Sequence, residues 1–126
     1  MTATLELQGV TVRRDNRLIL KRIDWTVAPD ERWIVLGPNG SGKTTLCQVA
    51  SMYQHPTSGT VRVLGETFGR TDVRQLRKRI GYMSVQLTGM LRPGLTATDV
   101  VVTAKHAAFA TCWHVYSQDD YAKATR

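Results

Sequence analysis

Acidic side chains are scarce in this chain. Ten Asp and Glu face 17 Lys and Arg, for a formal net charge of +7 and a pI of about 9.9. One reading is a solvated basic surface, or a fragment whose acidic half lies elsewhere. The sharper reading is an anionic partner: a nucleotide, a nucleic acid or lipid head groups. Aromatic residues are few as well, at 7%. None interleaves with the basic clusters at Arg13, Arg14 and Arg17, at Lys21 and Arg22, or at Arg74, Arg77, Lys78 and Arg79. A stacking platform for bases needs that interleaving, so the pattern argues against nucleic acid. Cysteine occurs twice, at Cys47 and Cys112, far apart and without metal-ligand spacing. The expectation is two small buried thiols. No apolar run reaches the ~18 to 20 residues that a membrane span needs. The longest candidate, DVVVTAKHAAFATCW, is interrupted by Lys105 and His106. The first residues, MTATLELQ, offer neither a basic start nor an apolar signal core, which points to a cytoplasmic protein. Repeats, low-complexity tracts and linkers are missing too.

What is present reads as globular. Hydrophobic residues make up 42% and charged residues 21% of 126 positions, enough for one domain or a piece of one. Leu5 and Leu7 alternate with polar residues, the phase slips at Gly9, and it resumes at Val10 and Val12. A strand with a glycine bulge explains the slip. RDN at 14–16 is turn chemistry, and Ile23, Trp25 and Val27 mark a second strand that Pro29-Asp30 ends. The two strands should pair antiparallel with one face buried. WIVL at 33–36 is a continuous apolar run, as in a strand buried on both faces of a parallel sheet. A helix should start near Lys43, with Leu46, Val49, Ala50 and Tyr53 along one face. Turn chemistry in HPTSG precedes a strand in TVRVLG, then a short helix in VRQLRKR and a strand in RIGYMS. TATD at 96–99 resembles a capping box and opens a helix through VVVTAKHAAFA; SQDD at 117–120 caps one more, over YAKATR.

Residues 37–45, GPNGSGKTT, carry the chemistry. They fit G-x-x-x-x-G-K-[ST] with Gly37, Gly42, Lys43 and Thr44, between a predicted strand and a predicted helix. A triphosphate packs several negative charges into a small volume. Backbone N–H groups from Asn39 to Thr45 can wrap round a β-phosphate, backed by the positive end of the following helix. Gly37, Gly40 and Gly42 let the backbone approach closely, and some of them take φ values a side chain would forbid. Lys43 supplies a mobile cation for the β- and γ-phosphates, and the Thr44 hydroxyl suits Mg²⁺, which prefers oxygen ligands. Pro38, Ser41 and Thr45 complete the loop.

With these residues the chain resembles the ATP-binding subunits of ABC transporters. LGPNGSGKTTL at 36–46 has the form that family favours, and PTSGTVRVLG at 56–65, LRKRIGYMS at 76–84 and GLTATDVV at 94–101 resemble its following segments. KHAAF, WHVY and DDYAKA resemble a bacterial subgroup linked to importers. A nucleoside kinase begins almost at its phosphate loop, whereas here 36 residues come first and read as an antiparallel pair. The implied fold is an α/β P-loop NTPase of ABC type: an antiparallel β-subdomain plus the start of a parallel core sheet, stopping before the signature motif. The implied organisation is 1–31 for the β-subdomain strands, 32–84 for the P-loop core, and 85–126 for the Q-loop region and the start of a helical subdomain. The strands flanking WIVL in the family come from sequence beyond these residues.

The resemblance implies ATP and Mg²⁺ as cofactors, a second ATPase subunit packed head to tail, a transmembrane permease, and a place at the inner face of the cell membrane through that permease. Transport energised by ATP is the implied function. The alternatives are a nucleotide-binding module without turnover, and a soluble ABC-type protein acting on nucleic acid or ribosomes. Two positions depart from the family pattern. Val12, Arg13 and Arg14 stand where an aromatic stacks on adenine, and an arginine plane is the available substitute. Gln86 comes one residue later than the Q-loop glutamine that reaches Mg²⁺, whose position is Val85. These 126 residues contain no LSGGQ-type signature, no apolar strand ending in Asp before Glu, and no switch histidine, so no catalytic residue is assigned. Asp99 follows Thr-Ala-Thr, Asp119 and Asp120 open a helix, and His55, His106 and His114 read as surface or packing residues.

Overall fold

The computed structural model describes residues 2–112 and 114–126. Met1, and Trp113 within the WHVY stretch, lie outside the described residues. Strand β1, Leu5–Arg14, pairs antiparallel with β2, Arg17–Val27. Asp15 and Asn16 join them in a two-residue turn with φ of 48° and 61°. Both angles are positive, the turn type whose twist matches a hairpin, and Asn and Asp tolerate it best after glycine. The predicted bulge is present. The β1–β2 register shifts between Leu7 and Val10, Gly9 has φ of 57°, and its N–H donates to Asp24 Oδ1 at 2.7 Å. The bulge keeps Leu5, Leu7, Val10 and Val12 all buried despite the phase slip.

On its other side β1 pairs antiparallel with β3, Ser58–Val63, which turns through Leu64 and Gly65 into the two-residue β4, Glu66–Thr67. The sheet order is β2-β1-β3-β4. Helix α1, Lys43–Ala50, packs on this sheet and contacts β1, β2 and β3. Its apolar side contributes Val49, and Met52 just beyond its end is fully buried. The helix stops in a Schellman pattern: Met52 takes φ of 63°, its N–H donates to the Val49 carbonyl, and Tyr53 N–H donates to that of Gln48. At roughly 1.5–3 kcal/mol for each large apolar side chain buried, this sheet-and-helix core holds the phosphate loop in place.

The chain divides into two units, Met1–Val73 and Arg74–Arg126. Helix α2, Val73–Arg77, falls at the division. The second unit holds a 3₁₀ turn at Val85–Met90, helix α3 at Ala97–Thr103 with a 3₁₀ extension Ala104–His106, and helix α4 at Gln118–Ala124. Both predicted capping boxes form, Thr96 with Asp99 and Ser117 with Asp120. Lys105 Nζ reaches Asp120 Oδ2 at 2.8 Å, and Tyr121 donates to Asp99 Oδ1 at 3.4 Å, tying α3 to α4.

Four expectations need correction. WIVL at 33–36 joins no ladder, and all four side chains are exposed, Leu36 to 86%. RIGYMS at 79–84 is likewise without strand, with Met83 95% exposed. Every strand pairing among the described residues is antiparallel, so neither run has a parallel neighbour to supply its hydrogen bonds. The helix after TATD ends at His106, short of AAFA, because Ala107 turns into the left-handed region at φ 50°. Cys47 and Cys112 are exposed, not buried. Cys47 lies on the side of α1 away from Val49, and Arg92 Nη1 donates to Cys112 Sγ at 3.3 Å.

Candidate functional site: a phosphate loop against strand β2

The phosphate loop lies between the exposed 33–36 stretch and α1. Gly40 and Gly42 have φ of 81° and 96°, which L side chains rarely adopt. Gly42 is also the N-cap of α1, and its carbonyl accepts from Leu46 N–H at 2.8 Å. With no capping side chain there, the N–H groups of the first turn have no capping oxygen, and the helix begins facing the loop. A Cβ on Gly42 would stand 3.0 Å from both the Ile19 carbonyl oxygen and Leu20 Cδ2. The loop is therefore seated directly on β2, which is why the position takes glycine.

Lys43 is turned back over its own loop. Its ammonium donates to the carbonyls of Gly37 and Pro38, the latter at 2.8 Å, and to Ser41 Oγ at 3.4 Å. Ser41 N–H in turn donates to the Pro38 carbonyl at 3.2 Å. The Lys43 ammonium thus ties together the carbonyls of its own loop.

A cleft of about 400 Å³ opens beside the loop. One side is formed by Asn39, Gly40 and residues 42–45, the other by Arg17, Leu18 and Ile19 of β2. Its only charged residues, Arg17 and Lys43, are both cationic, as an anionic ligand requires. Thr44 is exposed in the cleft, whereas Thr45 is buried. No group of three or more His, Cys, Asp or Glu able to hold a metal occurs among the described residues.

The structure brings together Asn39, Gly40, Gly42, Lys43, Thr44 and Thr45 in the cleft, with Gly37, Pro38 and Ser41 behind them around the Lys43 ammonium. The Arg17–Ile19 wall was missed by sequence reasoning, which saw Arg17 only as part of a basic cluster. Its signal was the position just after the RDN turn. Val12, Arg13 and Arg14 do not line the cleft. Val12 is buried, Arg13 N–H donates to Thr57 Oγ1 at 2.9 Å, and Arg14 Nη2 donates to Gln54 Oε1 at 3.0 Å. Gln86 sits on the 3₁₀ turn of the second unit, its N–H donating to Ser84 Oγ. The histidines serve packing: His55 stacks on Phe68 at 4.0 Å, and His106 on His114 at 4.3 Å. Burial, with the neighbouring His114, lowers the His106 pKa. Asp99 is a helix cap, held below its ordinary pKa by the Thr96 N–H and then the Thr96 hydroxyl.

The ABC transporter family model matches residues 20–125. An uncharacterized ABC transporter ATP-binding protein of Bacillus subtilis, YlmA, is 38% identical over 105 residues, covering 82% of this chain. The chain spans 40% of that relative's length. An ATP-dependent lipid A-core flippase of Burkholderia thailandensis is 41% identical over 73 residues, 58% of this chain and 12% of the flippase. Among solved structures, a dimeric post-hydrolysis state of the ATP-binding cassette MJ0796 with ADP and Pi superposes with a TM-score of 0.76. That match covers 96% of this chain and 54% of the cassette, and at 23% identity it speaks for the fold.

Proposed function

The chain belongs to the ABC transporter family, and we propose that residues 37–45 hold Mg·ATP as part of an ATPase that energises transport across a membrane. The observation that carries this reading is the cationic cleft with Lys43 folded over the loop carbonyls. A phosphate oxygen is a better acceptor for an ammonium than a neutral carbonyl, since charge-assisted bonds are roughly twice as strong as neutral ones. A bound triphosphate therefore draws Lys43 from Gly37 and Pro38 to itself. The loop N–H groups and the start of α1 then surround the anion. Thr44 would hold Mg²⁺, which when bound neutralises charge between the β- and γ-phosphates.

In the whole protein, two such units would close head to tail on nucleotide and drive a transmembrane partner. Dimeric cassettes and a flippase among the relatives support that assembly. No helix among the described residues is long and apolar enough to cross a membrane, so the membrane path belongs to the partner in this proposal. Calorimetric titration of ATP into the chain and its Lys43→Ala variant tests the reading. Lys43→Ala should weaken binding by about tenfold or more, from the loss of one charge-assisted bond at roughly 1.5–3 kcal/mol. Chelation of Mg²⁺ should weaken binding to the parent chain as well. Equal affinities for the two chains would remove the assignment.

A further inference from the structure

We propose that Arg17 is the platform for the nucleotide's base, and that the site for this reason takes adenine and guanine nucleotides alike. The inference rests on the phosphate-loop reading and goes beyond it, to the other end of the ligand. Gly42 fixes the register between loop and strand, because it sits against the Ile19 carbonyl. A strand advances about 3.3 Å per residue. Arg17 thus stands about 7 Å along β2 from the point where the phosphates are gripped. That offset is what a ribose needs between a phosphate and a base. Leu18 and Ile19 fill the interval with apolar surface suited to a sugar's carbon face.

Arg17 is available for this role. It lies on the cleft wall, it is exposed, and its guanidinium has no hydrogen-bond or ion-pair partner among the described residues. Arg14, its cross-strand neighbour, is instead engaged by Gln54. The wall contains no aromatic ring, so the guanidinium plane is the flat group on offer. Such a plane attracts the π-face of any base. It reads no base edge, and neither Leu18 nor Ile19 carries a side-chain donor or acceptor to tell an adenine amino group from a guanine carbonyl. Selectivity by the base edge is therefore absent from this wall.

The test is calorimetry of ATP, GTP and inorganic tripolyphosphate, each with Mg²⁺, on the parent chain, Arg17→Ala, Arg17→Lys and Lys43→Ala. Tripolyphosphate has no base and reports the loop alone. ATP and GTP should bind the parent chain within about threefold of each other. Arg17→Ala should lose about three- to thirtyfold for both nucleotides, the range of a cation–π contact, and Arg17→Lys, which keeps the cation but not the plane, a measurable part of that. Arg17→Lys, which keeps the charge, should leave tripolyphosphate binding unchanged, Arg17→Ala should cost tripolyphosphate less than it costs the nucleotides, and Lys43→Ala should weaken all three ligands. An Arg17→Ala loss as large for tripolyphosphate as for the nucleotides would make Arg17 a phosphate ligand and overturn the proposal. So would a tenfold preference for ATP over GTP, or an Arg17→Lys chain that binds nucleotide like the parent. A parent chain that binds tripolyphosphate but loses nothing for nucleotides in Arg17→Ala leaves the phosphate loop standing and removes the platform. A parent chain that binds none of the three ligands removes the phosphate-loop reading and this inference with it.

Discussion

Gly42→Ala tests whether the phosphate loop is seated on β2. The glycine has φ of 96° and ψ of 7°. An L side chain in a left-handed conformation costs about 1–2 kcal/mol. The added methyl group would also lie 3.0 Å from the Ile19 carbonyl oxygen and from Leu20 Cδ2. Neither neighbour yields readily: one is backbone, and Leu20 is buried. Forcing a methyl group into packed surroundings costs about 1–3 kcal/mol. If the loop stays seated, the whole of about 2–5 kcal/mol appears as lost stability. If the loop lifts from β2 to relieve the contact, the start of α1 and the loop N–H groups move with it, and the cost appears as lost nucleotide affinity. A shift of 2 kcal/mol is about thirtyfold in affinity. Gly40→Ala is the control. Gly40 also has positive φ, at 81°, but a Cβ there would meet nothing within 4 Å. It should lose only the conformational term of about 1–2 kcal/mol. Thermal unfolding together with ATP calorimetry on both variants measures both routes. If Gly42→Ala unfolds and binds like Gly40→Ala, the loop does not rest on β2 and the register argument fails.

The same reasoning gives a sharper contrast in the sheet. A Cβ on Gly59, at φ 91°, would stand 2.5 Å from the Gly9 carbonyl oxygen and 2.7 Å from that of Gln8. Gly59→Ala should therefore lower stability by about 2–5 kcal/mol, against about 1–2 kcal/mol for Gly9→Ala, whose Cβ would lie in open space. Urea midpoints that fall equally for the two would show that β3 does not approach the bulge so closely. Asp120 should titrate abnormally. A hydrogen bond from Lys105, then one from the Ser117 N–H, lowers its pKa to about 2. A depressed carboxylate stabilises the fold above its unfolded pKa, near 4, and loses that stabilisation as pH falls toward about 2. Carboxyl-carbon NMR should place the midpoint near that lower value and move it upward in Lys105→Ala. A midpoint near 4 in the parent chain would show that the Lys105 contact does not persist in solution.

Features decided by a few neighbouring residues were legible in the sequence. The bulge at Gly9 follows from one slip in an alternation, and Asp24 completes it in the structure by accepting from the Gly9 N–H. The caps at Thr96 and Ser117 follow from side-chain oxygens three residues ahead of a carboxylate. Residues 37–45 were legible as a motif, because the whole pattern lies within neighbouring positions and does not depend on a distant part of the chain. The cleft's other wall was not. Nothing within residues 37–45 says that Gly42 will touch Ile19, and only that contact gives Arg17 its place.

The apolar runs at 33–36 and 79–84 show the converse limit. Their composition fits strands, and the inference that they are strands assumed neighbours the composition does not name. A strand's backbone groups are satisfied only by another strand, whereas a helix satisfies its own. Helix α1 therefore forms from what lies within eight residues and the sheet beneath it. Ile34 and Leu36 are 84% and 86% exposed, an arrangement that leaves apolar surface in water beside the 37–45 loop. Four such side chains adjoining a binding loop are a physical demand for a partner strand. The relatives that share this stretch are more than twice as long, since the chain spans 40% of YlmA. A partner strand at 33–36 would therefore lie end to end with the 37–45 loop. A strand laid against WIVL would fix the entry to the loop from one side, as Ile19 fixes its exit from the other.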